Sequence, residues 1–472
     1  MIAVIGADPT PLRPAPRGAT APGRPDLRPD AMMAAMASVA PDTTDPDPTD
    51  RSTGAPSTVG AGNGSGAAPP AWADWPKALG LFLSIFAVML VAQYVSFRYW
   101  GVKTSPDLAF PGRSLLDGLV RFDGGWYVNI SREGYGLRPG AQSNVAFFPS
   151  YPLAMRGVAV VVRDHVLAGI TLTALSGAGV SVALWTWLGR VGLQGRERWT
   201  AFAAQLLYPY GFFLYGVIYS DTFILLAAIG VFLLAESKRW WLAGLLGIVV
   251  TGGRPAGFAI AIALIVFSLE RNGTLHPPSG DGLLARWKVP VRFDRSKLRA
   301  NQVLPGVISL SGIAAYSTYL WVRWGDPKLY STVQEYWGQA DGPATWTKEY
   351  YRSLLANTKW SELLSRPQSG LEVGTRSVQA LILITVLCAV PFIGRRFGWG
   401  YATLVAVGGA VPLVFSADFQ GSGRYMIAAF PAFALFGSWL ARRPALARGW
   451  LVASGLAAVA MMMFYSHGVY LT

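Results

Sequence analysis

Residues 121–135 set one carboxylate among basic and aromatic side chains, in the order Arg121-Phe122-Asp123-Gly124-Gly125-Trp126-Tyr127, with Arg132 and Tyr135 close behind. Asp123 can take a proton. Leu116, Leu119, Val120, Asp123, Tyr127 and Ile130 recur at three- and four-residue steps, which predicts an amphipathic helix with this stripe turned inward. An acid on an apolar stripe loses water, its pKa rises, and it becomes a better general base. Gly124-Gly125 would loosen or end the helix there and let a substrate approach the backbone. Position alone leaves a second reading equally open, in which Asp123 caps a helix or pairs with Arg121.

The elements that must hold these residues are membrane helices. Of 472 residues, 52% are hydrophobic and 14% charged, against about 25% charged in soluble domains. Mean hydropathy is +0.35. Apolar segments run over 78–98, 167–189, 200–218, 221–237, 239–253, 255–270, 303–322, 377–394, 398–415, 425–441 and 448–466. The expectation is an all-α polytopic membrane protein with about eleven transmembrane helices and surface-lying helices in the loop after the first span. Residues 1–72, rich in Pro, Ala, Asp, Thr and Gly, read as a disordered cytoplasmic tail, and 73–472 as the membrane domain. No apolar signal-peptide core precedes residue 78.

Basic clusters set the orientation. Arg190/Arg196/Arg198, Lys238/Arg239, Arg395/Arg396, Arg442/Arg443/Arg448 and the basic loop 271–302 belong together in the cytoplasm. That puts the N-terminus inside and the C-terminus outside, provided that 146–165 does not cross. It leaves outside the first loop 99–165, the loop 323–376, and the turns carrying Asp221, Arg254 and Arg424. The net charge of +14 suits these loops and anionic lipid headgroups, and the chain contains no nucleic-acid-binding module. Cys388 is the only cysteine, which excludes an internal disulfide and a thiolate metal site. His165, His276 and His467 lack metal-ligand spacing. The carboxylates Asp326, Glu335 and Asp341 leave a divalent metal open, and nothing in the sequence requires a cofactor.

One stretch resembles a known family. Arg121-Phe122-Asp123, Tyr127, Gly134-Tyr135 and Phe147-Phe148-Pro149-Ser150-Tyr151-Pro152 resemble the first extracytoplasmic loop of the PIG-V type of GPI mannosyltransferase and its bacterial relatives, with Phe122 where relatives carry Trp. Weaker echoes follow in Tyr219-Ser220-Asp221, Gly253-Arg254-Pro255-Ala256-Gly257, Trp324-Gly325-Asp326-Pro327, Arg424-Tyr425 and Phe430-Pro431. The resemblance implies a GT-C fold and a glycosyltransferase using a polyprenyl-phosphate mannose donor and a glycolipid or glycan acceptor. The phosphate of such a donor leaves as an anion and needs no general acid, so one base and cations suffice. That makes Asp123 the base. Arg121, Arg132, Arg254 and Arg424 are then the phosphate ligands, because arginine's planar fork donates two hydrogen bonds. Trp126, Tyr127, Tyr135, Phe148, Tyr151 and Asp221 are the substrate contacts. One base on one face of the sugar implies inversion. A carrier of lipid-linked sugars would share the arginines and aromatics without needing the base. For any single aromatic, the interfacial belt is an equally simple role.

Overall fold

The computed structural model describes residues 70, 72–100, 115–276, 292–339, 342–357 and 367–470. The expected tail therefore lies almost wholly outside the described residues, as do Arg286 and Lys288 of the basic loop and the metal candidate Asp341. The described chain is helical, with one isolated β-bridge between Leu275 and Phe293.

In chain order the helices are α1 (Trp75–Val95), α2 (Asp123–Glu133), α3 (Ser150–Val162), α4 (His165–Arg190), α5 (Gly195–Leu206), α6 (Ser220–Glu236), α7 (Trp240–Thr251), α8 (Phe258–Arg271), α9 (Ala300–Ser309) and α10 (Ser311–Trp324). The short α11 (Leu329–Thr332), α12 (Pro343–Trp346) and α13 (Glu349–Asn357) follow. The chain then forms α14 (Pro367–Phe397), α15 (Trp399–Phe415), α16 (Ser422–Tyr425), α17 (Phe430–Ala441) and α18 (Pro444–His467).

This is an all-α membrane protein, but the expected count of about eleven spans needs correction. Among the described residues, four helices are long and apolar enough to cross: α1 with its extension to Trp100, α4, the 370–397 part of α14, and α18. Two bent pairs, α9 with α10 (45°) and the 422–428 segment with α17 (84°), bring the number to six if each is one span. The other expected spans are helical but short. The segment 200–218 breaks after Leu206 and continues as a 3-10 turn led by Pro209, which cannot donate to a continuing ladder. Helices α7 and α8 have 12 and 14 residues, well under the ~20 needed to cross a full bilayer core. Part of each packs on neighbours: Val250, Ala259, Ala263 and Leu264 are buried in the bundle, while Trp241, Leu242 and Leu245 of α7 stay exposed.

At one end of the bundle the last turns of α4, α6 and α8 converge. Glu236 lies 3.8 Å from Arg190 and 3.9 Å from Arg271, and accepts a hydrogen bond from Tyr401 (2.6 Å). Arg198, counted among the basic loop charges, is buried. Its guanidinium stacks 3.9 Å from the centre of the Trp185 ring and donates to the Trp185 carbonyl. The opposite end, where α6 begins, carries the residues that could do chemistry.

Candidate functional site

The predicted stripe does not form one helix. Residues 117–119 make a 3-10 turn, and α2 starts at Asp123 itself. Between them Phe122 takes φ 51°, ψ −120°, and the Gly124 N–H closes a turn on the Arg121 carbonyl (3.0 Å). Gly124-Gly125 therefore lies inside the first turn of α2 rather than ending a helix. A Cβ at Gly124 would sit 3.1 Å from the Ile218 carbonyl, so glycine lets α2 dock against the segment leading into α6. Asp123 thus emerges at a helix N-terminus, where the helix dipole favours its charged form. Its own N–H donates to the Tyr219 hydroxyl (3.2 Å).

Three other segments meet it. The first turn of α6 presents Asp221, whose negative charge also suits a helix start. Arg254 stands in extended backbone just before the Pro255 turn that opens α8, and Gly257 in that turn is needed because a Cβ there would strike the Val250 carbonyl. Arg424 rides on α16. The end of α15 and the loop before α16 are pinned by residues from other segments. Lys348 Nζ donates to the Pro412 (3.0 Å) and Ser416 (2.5 Å) carbonyls, Arg376 pairs with Asp418 (2.8 Å), and Gln339 accepts from the Ala417 N–H (2.7 Å). Burial pushes the Lys348 ammonium down to about 8, against the pull of Asp418.

The result is a chain of alternating charges. Arg424 Nη1 lies 3.1 Å from Asp123 Oδ2, and its Nε lies 3.8 Å from Asp221 Oδ2. The other Asp221 oxygen is 2.7 Å from Arg254 Nη2. Arg424 sits in a box of rings, 4.8 Å from Tyr219, 5.3 Å from Tyr425 and 5.7 Å from Phe213. The Arg424 side chain is 9% exposed and that of Asp123 24%. Loss of water raises the Asp123 carboxyl above the ordinary range, while Arg424 pulls it back and Asp221 adds a smaller push upward. The Nε–H groups of both Arg254 and Arg424 are buried and have no hydrogen-bond acceptor. A cavity adjoins the cluster. Asp221, Arg254 and Tyr425 are its polar residues, and Ile224, Ala228, Ala259, Ile260, Val405 and Gly408 are among those that make the rest of its wall apolar.

The sequence-predicted residues separate into two groups. Asp123, Asp221, Arg254 and Arg424 come together. Arg121 does not join them, although it is two residues from Asp123. It is fully buried and its Nε and Nη1 donate to the carbonyls of Ser466 (3.0 Å), Val120 (2.6 Å) and Asp117 (2.5 Å), while its buried Nη2 has no acceptor among the described residues. Arg132 is exposed in the last turn of α2, nine residues and roughly 13 Å along the axis from Asp123. Tyr127 and Tyr151 are buried and bonded to Ser220 (3.0 Å) and Thr173 (2.7 Å), so they brace α2 and α3 against the bundle. Phe148 is buried against Tyr316 (4.9 Å) and Tyr330 (5.0 Å), and the Tyr135 hydroxyl donates to the Phe147 carbonyl (2.8 Å). Trp126 remains half-buried, stacked on Phe147 (6.0 Å) and edge-on to Trp337 (6.0 Å). Asp326 turns to its own loop, accepting from the Lys328 N–H (2.8 Å). Among the described residues no three His, Cys, Asp or Glu side chains cluster as metal ligands.

Two contributors escaped the sequence reading. Tyr219 was seen only as part of the Tyr219-Ser220-Asp221 echo, yet it both receives the Asp123 N–H and floors Arg424. Tyr465, a tyrosine in an apolar helix, carries no local signal at all.

No family model matches the chain, and neither does any curated protein. Among solved structures it is similar to the archaeal oligosaccharyltransferase AglB from Archaeoglobus fulgidus, solved with an inhibitory peptide and a dolichol-phosphate. The identity is 14% and the TM-score 0.39, over 83% of this chain and 56% of that one, so this chain spans little more than half the length of that protein.

Proposed function

We propose that the protein is an integral-membrane glycosyltransferase of the GT-C class and PIG-V type. It moves mannose from a polyprenyl-phosphate donor to a glycolipid or glycan acceptor on the extracytoplasmic side. The observation that carries this reading is the pair of buried, unsatisfied Nε–H groups on Arg254 and Arg424, set on either side of Asp221 and next to Asp123. Buried donors without acceptors are costly, and two guanidinium edges in this state suit a tetrahedral anion. The apolar cavity beside them suits the chain attached to that anion.

In this mechanism the acceptor oxygen attacks the anomeric carbon as the bond to phosphate breaks. The acceptor proton passes to Asp123, and the phosphate departs with the bonding electrons, held by Arg254 and Arg424. Asp221 fixes both arginines. Attack from the face opposite the phosphate inverts the anomeric centre. The Asp123–Arg424 pair adds a coupling. An anion at Arg424 competes for the guanidinium that holds Asp123, so donor arrival leaves a more basic carboxylate. Arg121 and Arg132, the other two arginines expected at the phosphate, stand apart from this cluster and are left out of the proposal.

The second reading, a carrier of lipid-linked sugars, draws on the same ion pair: an Asp123 that only neutralises Arg424 would also look like this. Purified protein in liposomes, supplied with radiolabelled polyprenyl-phosphate mannose and a membrane lipid extract, separates the two. Label moving from donor to an acceptor or to water supports the transferase; label crossing the bilayer still attached to its lipid supports the carrier.

The proposed topology has its own test. Single cysteines beside Asp221, Arg254 and Arg424, in a Cys388→Ser background, are expected to react with an impermeant thiol reagent in intact cells. Reaction only after permeabilisation would place the site in the cytoplasm.

A further inference from the structure

We infer that Tyr465, on the last helix, is a positioning residue that sets the direction in which Asp123 is presented; this rests on the transferase reading. Asp123 follows directly on Phe122, whose φ of 51° and ψ of −120° belong to a turn position that glycine normally fills. A phenylalanine persists there only when its surroundings hold it. Those surroundings come from residues 465–470. The Tyr465 hydroxyl accepts from the Arg121 N–H (3.2 Å) and donates to the Arg121 carbonyl (3.1 Å), so it grips both polar groups of the residue that opens the turn. The Phe122 ring lies edge-on to Tyr465 (5.7 Å) and to Tyr470 (4.7 Å). Arg121 Nε donates to the Ser466 carbonyl (3.0 Å), tying the same turn to the end of α18.

None of these contacts reaches the Asp123 carboxylate. Its direction follows from the turn before it and from Tyr219, whose ring lies 6.1 Å from that of Tyr465. Arg121, in the triplet that carries the family resemblance, then acts through the same turn rather than on phosphate. A merely structural Tyr465 would affect stability alone. A positioning Tyr465 affects the chemical step while donor binding stays intact, because Arg254 and Arg424 lie on other segments.

Tyr465→Phe keeps the ring and removes both hydrogen bonds. In full-length purified protein, with radiolabelled polyprenyl-phosphate mannose and release of mannose to water as the readout, kcat per folded molecule should fall about tenfold or more at unchanged donor KM. Tyr470→Leu, at a site 42% exposed, removes one flank of Phe122 and should lower kcat in the same direction, with Tyr470→Phe restoring it. If Tyr465→Phe does not fold, the Tyr470 pair decides. Wild-type kcat in every variant that folds overturns this inference alone. Full activity in Asp123→Asn removes Asp123 as the base, and this inference with it; no mannose release by the wild-type protein overturns the transferase reading.

Discussion

Asp123→Asn is expected to lower mannosyl transfer by about 10²-fold or more, the usual contribution of a positioned general base. The substitution keeps the size of the side chain and removes its charge and basicity. Donor binding should survive, because Arg254 and Arg424 remain. The pH profile gives a second measure. Above its pKa Asp123 is the carboxylate that takes the acceptor proton, so wild-type turnover should rise with pH through a midpoint above that of an ordinary aspartate, as loss of water dictates. That limb should vanish in Asp123→Asn. If Asp123 serves only as the counter-charge of Arg424, the single change should appear as instability, and Asp123→Asn combined with Arg424→Gln should restore the fold. Near-normal transfer by the single variant would sink Asp123 as the base, whereas absence of transfer by the wild-type protein would bring the carrier reading forward.

Arg424→Ala carries the other large effect. Among the described residues, Arg424 is the one cation that touches both Asp123 and Asp221. Its loss leaves two carboxylates facing each other without the guanidinium between them and removes one proposed phosphate ligand. Breaking a buried pair from one side costs about 3–5 kcal/mol, so a lower melting temperature is expected alongside a 10²- to 10³-fold loss of transfer, the scale for removing one donor to a developing anion. Arg424→Lys separates the two effects: it restores charge but not the planar fork, so stability should recover more than activity. Arg424→Lys with wild-type turnover and donor KM would show that no two-pronged contact to phosphate is made.

The sequence told more about which residues matter than about which of them touch. Asp123, Asp221, Arg254 and Arg424 were all legible, Asp123 as an acid on an apolar stripe and the other three as charges at the ends of apolar segments. Their pairing was not. The partner proposed for Asp123 was its neighbour Arg121, whereas the partner found is Arg424, 301 positions away. Adjacency misled because Phe122 turns the chain at its positive φ, sending Arg121 to the carbonyls at the end of α18 and Asp123 to the head of α2. The apolar stripe misled in the same way: its spacing is helical, but the helix begins in its middle. The aromatic candidates Tyr127, Tyr151 and Phe148 have the composition of a sugar-binding wall, and only packing reveals that their polar ends or faces are used up inside the bundle. The span count failed for a related reason. Hydropathy registers an apolar run but not where its helix breaks, so short helices such as α7 and α8, of 12 and 14 residues, score like spans.

The distance along the chain between Asp123 and Arg424 also matters while the protein is being made. Translation adds roughly 5–20 residues per second, so about fifteen seconds to a minute separates the emergence of the acid from that of its cation. During that interval Asp221 can find Arg254, 33 positions on, but Asp123 has no counter-charge from α16. The ribosome therefore delivers the Asp123 carboxylate long before the group that completes its setting, and the Tyr465 grip on its turn arrives later still. Chains cut short anywhere before α16 are consequently born without a working centre, however well their first helices insert.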